Sequence, residues 1–394
     1  MKFAIGIPQI YADGTFSPSD FRSYLARVEE LGVYESAWTQ ETVLGFSPAR
    51  AAAPQLAPLE LLTYAAACTS SLRLGCTVFV TTLHTPAHLA KGLATLDQLS
   101  GGRLEIGVGS GGPRRPFAAF GMSADRWLPR FTEGLALMKA LWTEPFVNFD
   151  GEFWQLKNAS MEPKPYQKPY PRLWFGGSAP TAVRRGVRLC DGFFGAGSSP
   201  TSSFAAQVAV VREALAADPA GRRPGFGPGE FPIAKRVYIG IDQVRGSRAR
   251  ERMNEALAGL YGVRMPAIES AAVAGTVAEC VDGVQAVIAA GAQMILFTPL
   301  YDVTEHMELI ADVIIPALLS PLAVMPARCY PRSLPGAFSP CPLPRRAAKS
   351  AALLSAMTGA RPLARGGGGG YAVASAFSWR RRAATLRRTG RAAK

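Results

Sequence analysis

The feature that most restricts the fold of this chain is an alternation of short apolar runs with longer amphipathic segments over residues 1–319. Segments such as 19–32 carry apolar residues three and four positions apart, which is the helical spacing. The runs between them have the β-branched and aromatic composition of strands. Eight such runs occur, at residues 3–10, 35–40, 73–81, 103–111, 172–177, 192–197, 234–241 and 293–300. This alternation favours a parallel sheet covered by helices.

Two α/β architectures satisfy that pattern. An open doubly wound sheet usually has a G-x-G-x-x-G turn after its first strand, whereas here the sequence YADGTFSPSD follows. A closed barrel of eight parallel strands typically needs roughly 250 residues, and the first 319 residues provide them. We therefore predict a (β/α)₈ TIM barrel with insertions over residues 1–319.

Two stretches interrupt the alternation and are predicted as insertions near the barrel mouth. Residues 145–171 have the pattern of a β-hairpin turning at Asp150 and Gly151, followed by a proline-rich excursion. Residues 261–275 form a loop of small residues before the next helix. Long irregular loops at a barrel mouth often act as lids.

The composition changes after Leu319. Residues 320–394 contain 14 of the 43 Lys and Arg residues and no Asp or Glu, which leaves 29 basic against 29 acidic residues in the first 319. Proline, alanine, glycine and arginine dominate this tail, and such a segment buries too little apolar area to offset the ordering of its backbone. We predict a disordered basic tail at 320–394. Nucleic-acid or lipid contact by its arginines and translation of GC-rich DNA out of frame remain open alternatives, but we do not expect nucleic-acid binding.

Composition also argues against several classes of protein. No run of about 18 apolar residues indicates a membrane span, and the N-terminus lacks a signal-peptide pattern, so we expect a cytoplasmic protein. The six cysteines have no C-x-x-C spacing, which favours neither a zinc site nor a disulfide framework. Because Pro86 separates His84 from His88, these histidines do not share a regular helical face, and no metal site is predicted.

Active sites of (β/α)₈ enzymes lie at the C-terminal ends of the strands, and two of the predicted ends are rich in glycine. After the fifth run, Gly176 and Gly177 allow close backbone approach, while Ser178 and Thr181 offer hydroxyls beside the first N–H groups of a helix. A helix N-terminus of this kind suits a phosphate, although a simple tight turn capped by Ser or Thr would give the same pattern.

The sequence GVGSGG at 107–112 ends the fourth run, and we assign Gly109, Ser110 and Gly111 to a cofactor contact. Packing of glycine backbone against the barrel wall is the alternative. Arg114 and Arg115 follow directly and are candidates for contact with a phosphate or an acidic substrate group.

Several segments, taken in order, resemble the luciferase-like monooxygenase superfamily. The most specific are ATLDQLSGGRLEIGVG at 94–109, PRLWFGGSAP at 171–180 and CDGFF at 190–194, and the resemblance covers about residues 3–319. It implies a (β/α)₈ barrel that holds FMN or the deazaflavin coenzyme F420 at its mouth, acts as an oxidoreductase on a small molecule, and forms a homodimer. The FMN branch would be a monooxygenase that uses O₂ and a flavin reductase partner.

The resemblance also places residues around the cofactor. In relatives, a bulge or non-proline cis peptide at the end of the third strand supports the ring, which implies Cys76 and Thr77 here. The phosphate loop of relatives corresponds to Gly177, Ser178 and Thr181.

The segment WTQETVLG at 38–45 resembles the family segment in which an acidic residue and a histidine follow tryptophan. Glu41 takes the acidic position and is our predicted catalytic residue, but Thr42 stands where many members have histidine. A relocated group such as His84, or a water molecule, is the alternative proton donor. Gly112 replaces the acidic residue of the sugar-phosphate dehydrogenase branch, which argues against that substrate class.

The predicted substrate contacts are apolar. Trp38, Phe79 and Phe194, with Ile7, are expected at the mouth and indicate a small hydrophobic organic substrate, although the same residues would also suit the barrel core. The glycine loops favour F420 slightly over FMN, with Lys91, Arg114 and Arg115 as candidate contacts for its acidic tail. A barrel that binds flavin without turnover is the remaining alternative, because the usual histidine is missing.

Overall fold

The computed structural model describes residues 1–11, 15–44, 54–112, 117–217 and 231–320, and all of these fall in one unit, Met1–Tyr330. Its strands are β1 (Lys2–Gly6), β2 (Ser36–Thr39), β3 (Arg73–Val80), β4 (Leu104–Gly109), β5 (Val147–Asp150), β6 (Gln155–Ala159), β7 (Leu173–Phe175), β8 (Gly192–Gly195), β9 (Ile233–Ile241), β10 (Val273–Gly275) and β11 (Met294–Thr298).

Helices cover the sheet. They are α1 (Pro18–Leu31), α2 (Pro58–Cys68), α3 (Pro86–Leu99), α4 (Trp127–Thr143), α5 (Pro180–Leu189), α6 (Thr201–Ala217), α7 (Gly246–Tyr261), α8 (Pro266–Glu269), α9 (Val277–Ala289), α10 (Val303–Leu309) and α11 (Ile315–Leu319), with a π-helical segment at Ile310–Ile314. The basic tail lies outside the described residues, so its predicted disorder stays a prediction.

Eight strands close into a barrel. The parallel pairs run β1–β2–β3–β4–β7–β8–β9–β11 and return from β11 to β1. Ala4 of β1, for example, pairs with Ser36 on one side and Leu296 on the other. Since each strand matches one of the eight predicted runs, the predicted (β/α)₈ barrel is confirmed.

The stretch predicted as a loop at 261–275 is instead partly regular. It contains the last residue of α7, the short helix α8 and the strand β10. Val273 to Gly275 pair in parallel with Ile239 to Ile241, because β9 extends beyond the barrel and offers a free edge there. A capping box between Thr276 and Glu279 then begins α9.

The hairpin predicted in 145–171 is present as β5 and β6, and it packs along the outer side of α4, with Glu152 of its turn paired to Arg126 just before that helix begins. Helices of a parallel barrel run opposite to the strands, so the segment after α4 begins at the N-terminal end of the barrel. Glu133 of α4 accepts N–H groups from the hairpin turn, including those of Phe153 and Trp154. Farther on, the Gln167 side chain donates to the carbonyl of Leu104, the first residue of β4, at 2.8 Å.

The barrel interior is filled by a separate apolar cluster. It contains Ala4, Trp38, Trp174, Phe194, Ala234, Met294 and Leu296. The Trp38 ring meets Phe194 edge to face with centroids 4.9 Å apart and meets Trp174 at 6.0 Å. These aromatic rings close the barrel axis and form a floor beneath the C-terminal mouth.

Candidate active site

A cavity of about 360 Å³ opens at the C-terminal ends of the strands. Nine of the residues that the sequence assigned to the site line it, namely Glu41, Thr77, Gly109, Ser110, Gly111, Gly176, Gly177, Ser178 and Phe194. They come from loops that are far apart in the chain, so the barrel closure brings them together.

Four predicted site residues do not line this cavity. Cys76 and Phe79 are both fully buried in the outer core between the sheet and the helices. Thr181 is exposed on α5, whose N-cap is Ala179 rather than Ser178 or Thr181. Trp38 lies in the interior floor and borders a neighbouring cavity. The cofactor roles of Cys76 and Thr181 and the substrate role of Phe79 therefore have no support in the cavity geometry.

An irregularity in β3 explains the position of Phe79. The pairing of β3 with β4 shifts between Cys76 and Phe79, and the Thr77–Val78 peptide bond is cis. The shift directs both Cys76 and Phe79 outward while Thr77 and Val78 reach the cavity. The bulge and cis peptide that the resemblance implied near residues 76 and 77 are thus confirmed.

Two glycines of β4 make room for this irregular segment. A Cβ atom on Gly107 would lie 2.2 Å from the carbonyl oxygen of Cys76, and one on Gly109 would lie 2.6 Å from Val78 Cγ2. No side chain fits at such distances. For these two positions, the close packing of backbone against the barrel wall is sufficient to explain glycine.

A buried carboxylate stands beside the bulge. Glu41, just after β2, accepts the Val80 N–H at 2.6 Å through one oxygen, and its other oxygen lies 2.8 Å from His84 Nε2. The side chain of Glu41 is 3% exposed and that of His84 is 30% exposed. His84 therefore connects a carboxylate on the cavity wall with solvent. The sequence had offered His84 only as an alternative proton donor to Glu41, and the structure places the two side chains in contact.

The sequence analysis missed Arg236, an inward residue of β9 that is 8% exposed. Its guanidinium donates to the Gln40 side-chain oxygen and to the carbonyls of Thr39 and Thr77, at 3.4 and 3.1 Å for the latter two. Its Nε has no hydrogen-bond partner, and no carboxylate pairs with it among the described residues. The signal was a charged pair, Lys235 and Arg236, inside an otherwise apolar strand.

The side chain of Lys235, the residue before Arg236, points to the opposite face of β9. Its ammonium group donates to the carbonyls of Ala196 and Arg236 at 2.5 and 2.9 Å. Burial, and then the charge of Arg236, lower the pKa of Lys235 to about 7. Lys235 is therefore only partly charged near neutral pH, and Arg236 carries the permanent positive charge of this strand.

Two tyrosines extend the polar wall of the cavity beyond Arg236. The hydroxyl groups of Tyr238 and Tyr261 lie 3.0 Å apart, and both residues border the cavity. Burial raises the pKa of Tyr261, so its hydroxyl stays protonated and can donate a hydrogen bond.

A second cavity of about 390 Å³ adjoins the first and is mainly apolar. The ends of β1 and β11 and the helix α7 form it, with Ile7, Ile10 and Leu300 among its walls. Arg236 and Gln40 border both cavities. We call the first the glycine-loop compartment and the second the apolar compartment.

The candidate contacts for an acidic cofactor tail receive less support. Lys91 lies on α3 and donates to the carbonyl of Glu162, away from both compartments. Arg114 and Arg115 lie outside the described residues. Within the described ranges, no group of three or more His, Cys, Asp or Glu side chains is placed to hold a metal ion. No helix in that part of the chain is both long and apolar enough to cross a membrane.

The chain is a (β/α)₈ barrel protein with a cavity at its mouth. The third strand is bulged, and glycine-rich loops and a buried carboxylate line that cavity. Residues 3–294 match the family model described as luciferase-like monooxygenase. Since the match covers well over half of the chain, the protein belongs to this family.

Relatives within the family use two cofactors. An FMNH₂-dependent dimethylsulfone monooxygenase of Pseudomonas putida is 35% identical over 153 residues, 38% of this chain and 41% of the relative. An F420-dependent glucose-6-phosphate dehydrogenase of Amycolatopsis mediterranei is 31% identical over 182 residues, 45% of this chain and 53% of the relative. The matched part of the chain thus spans about half the length of these relatives.

Solved structures share the fold over their whole length. The monooxygenase RslO1 from Streptomyces bottropensis superposes with a TM-score of 0.65 at 24% identity, covering 80% of this chain and 99% of that chain. An F420-dependent secondary alcohol dehydrogenase in complex with an F420–acetone adduct gives a TM-score of 0.68 at 18% identity, covering 81% and 99%. At such identities the likeness shows the fold alone.

Proposed function

We propose that this chain is an FMN- or F420-dependent oxidoreductase that acts on a small organic substrate at the C-terminal mouth of the barrel. The observation that carries the proposal is the glycine-loop compartment, where the β3 bulge, the loops after β4 and β7 and the carboxylate of Glu41 meet. The family relatives that depend on FMNH₂ and on F420 support the same cofactor class.

The residues present fit such a cofactor. Gly176 lies close to Val78: a Cβ atom on Gly176 would be 2.9 Å from Cγ1 of Val78. The absence of a side chain at Gly176 leaves bare backbone beside the bulge. The N-terminus of α5 has no side-chain cap, and Ser178 lies directly before it on the cavity wall. Uncapped N–H groups at a helix N-terminus favour a phosphate. Ser178 and Gly177 would therefore hold the phosphate, and Thr77, Val78 and Gly109 would border the ring.

When bound, either cofactor supplies the redox chemistry, as a hydride donor or, for reduced FMN, by reaction with oxygen. The protein supplies proton transfer and orientation. Glu41 Oε1 and Oε2 are fixed by His84 and the Val80 N–H, so the carboxyl group lies at a defined place on the cavity wall, where it would pass a proton between His84 and the bound molecule. His84 can return that proton from solvent. The Tyr238 and Tyr261 hydroxyl groups are further donors for a substrate oxygen.

Two reactions remain within the proposal. In one, the chain is an FMNH₂-dependent monooxygenase that needs a separate flavin reductase. In the other, it transfers hydride with F420 and needs no oxygen. The slight preference for F420 drawn from the glycine loops stays a prediction, as do the homodimer and the cytoplasmic location.

The test offers the purified full chain each cofactor separately. Fluorescence quenching would measure the affinity for FMN and for F420, and the same preparation would then be given a panel of small organic compounds. Substrate-dependent oxygen uptake with photoreduced FMN supports the monooxygenase, and substrate-dependent loss of F420 absorbance supports hydride transfer. Tight binding without turnover of any compound would favour a non-catalytic barrel, and binding of neither cofactor would refute the proposal.

A further inference from the structure

We propose that Arg236 binds the carboxylate or sulfonate group of an amphiphilic substrate whose apolar part occupies the apolar compartment. This inference deepens the proposed function, on which it rests for the statement that the bound molecule is the substrate. The binding itself is a property of the chain without cofactor.

The first argument is the uncompensated charge. The guanidinium of Arg236 is buried, yet the groups that accept its hydrogen bonds are a side-chain amide and two backbone carbonyls, all of them neutral. Its Nε has no partner. A buried cation without a counter-ion is costly, and Arg is the side chain that binds planar oxyanions in two-point fashion. An acidic ligand group would complete this set of donors and neutralise the charge.

Protein groups nearby do not take this place. Glu41 also borders the glycine-loop compartment, but its oxygens are engaged by Val80 and His84 rather than by Arg236. Lys235, the preceding residue of β9, supplies no negative charge either. The described surroundings of Arg236 therefore attract an anion.

The second argument is the shape of the mouth. Arg236 and Gln40 border both compartments, so a ligand group on the arginine has an apolar volume of about 390 Å³ beside it. That volume lies within the usual range of small-molecule sites, roughly 300–1,000 Å³. The walls at the ends of β1 and β11 include Ile7 and Leu300, and the lining as a whole is mainly apolar, which favours an apolar body there. A molecule with one acidic end and an aliphatic or aromatic body fits both features.

The cofactor phosphate is the competing anion. The phosphate positions argued above lie in the loop after β7, and none of the residues that the structure describes in the loops after β4 and β7 borders the apolar compartment. Arg236, on β9, borders both compartments, so only its side toward the apolar compartment lies away from the phosphate loop. We therefore assign the arginine to a substrate group at the junction of the two compartments, and competition with the cofactor tests that assignment.

Calorimetric titration of the full chain with hexanoate, hexane-1-sulfonate, hexan-1-ol and inorganic phosphate tests the proposal. We expect the two amphiphilic anions to bind at least tenfold more tightly than the alcohol or phosphate. The affinity should increase from butanoate to octanoate as more methylene groups enter the apolar compartment. Saturation with the cofactor that the chain binds should leave hexanoate binding in place.

Variants identify the residue. Arg236→Met keeps the length of the side chain and removes the charge, so it should weaken hexanoate binding at least tenfold and leave hexan-1-ol binding unchanged. Arg236→Lys should give an intermediate loss, because an ammonium group keeps the charge without the planar donor pair. Arg188→Met, the same change at an exposed position of α5, is the matched control and should bind like the unaltered chain. Circular dichroism spectra would confirm that each variant is folded.

Three results would overturn the proposal. These are equal affinity for hexanoate and hexan-1-ol, undiminished hexanoate binding by folded Arg236→Met, and displacement of bound FMN or F420 by hexanoate. The last would assign Arg236 to the cofactor. If hexanoate binds through Arg236 while neither cofactor binds, the anion site stands and the proposed oxidoreductase function fails.

Discussion

Glu41 and His84 form the contact that we propose for proton transfer at the mouth. The carboxyl group is almost wholly buried, while the imidazole is partly exposed. In the proposed function, His84 links Glu41 to solvent, although Thr42 occupies the position where the family often has histidine. A histidine from the loop after β3 would then take the part that the sequence position of Thr42 does not supply.

Replacement of the carboxyl group should separate proton transfer from binding. Glu41→Gln retains an oxygen that can accept the Val80 N–H, but an amide does not transfer a proton at neutral pH. We expect kcat to fall by about 10²–10⁴, the range typical of a lost general acid or base, with cofactor affinity nearly unchanged. Steady-state kinetics on a substrate from the panel and fluorescence titration of the cofactor measure the two effects. An unaltered kcat would exclude proton transfer by Glu41.

The histidine partner has a matched control in the same chain. His84→Asn should lower kcat by about tenfold, because Glu41 would then exchange its proton more slowly, within the range of general acid–base effects. His88→Asn, a change at an exposed position of α3, should leave kcat as it is. Equal effects of the two substitutions would argue against a specific role for His84.

His306 links acid pH to stability. It is buried, its Nε2 accepts the Ile241 N–H at 2.9 Å, and its Nδ1 lies 3.0 Å from the Asp302 carbonyl oxygen. Both contacts are satisfied when the imidazole is neutral and protonated at Nδ1. Burial lowers the pKa of His306 below its ordinary value of 6.5. As the pH falls below 6.5, the unfolded chain binds a proton that the folded chain does not, so stability is lost.

Thermal unfolding between pH 7.5 and 5.5 checks this linkage. We expect His306→Gln to be less stable at pH 7.5 by about 1–2 kcal/mol, the cost of losing a buried hydrogen bond, but to lose less stability on acidification than the unaltered chain. His88→Asn should retain the full pH dependence. If His306→Gln and the unaltered chain decline in parallel, another group is responsible.

The sequence predicted Glu41 because a tryptophan-centred motif fixes its position relative to the end of β2. It did not predict Arg236, because the charged pair in the run AKRVYIGI does not show which of its two residues faces the barrel interior, and the inward face depends on register. Phe79 was placed at the mouth for the same reason. A one-residue irregularity in β3 reverses the direction of every side chain after it, and composition does not reveal where such a shift occurs.

At the scale of secondary-structure elements, β3 and β4 are coupled through the glycines of β4. Gly107→Ala would place a methyl carbon against the backbone carbonyl of Cys76, which cannot rotate away. We expect a loss of about 1–3 kcal/mol in the free energy of unfolding, as is usual for overpacking, and weaker cofactor binding. Denaturant unfolding and fluorescence titration measure the two effects.

Gly259 of α7 provides the control for that change. Nothing lies within 4 Å of a Cβ built there, and the residue is exposed. Gly259→Ala should therefore raise stability by up to about 1 kcal/mol, since alanine favours the helix over glycine. If both alanine variants unfold alike, the close approach at Gly107 is not restrictive.

Element order was easier to predict than element location. Alternating strands and helices have distinct apolar periods, and that local information was enough to identify all eight barrel strands. The hairpin of β5 and β6 was also recognised locally. Its packing on the barrel depends on contacts of Glu133 and Gln167 with segments far away in the sequence, which no local pattern contains.

At the scale of the whole molecule, charge separates residues 1–319, which are neutral overall, from the basic remainder. A chain ending at Ser320 should have the same free energy of unfolding and the same cofactor affinity as the full chain. Denaturant titration and fluorescence quenching of both proteins make the comparison. A shortened chain that fails to fold would show that residues beyond 320 belong to the barrel domain.

The aromatic floor of the barrel has a kinetic consequence. Because Trp38, Trp174 and Phe194 close the central axis, no molecule can enter from one end and leave from the other. Cofactor, substrate and product must therefore share the approach at the strand ends. Such a dead-end chamber favours a compulsory order of arrival and departure, in which the deeper occupant enters first and leaves last.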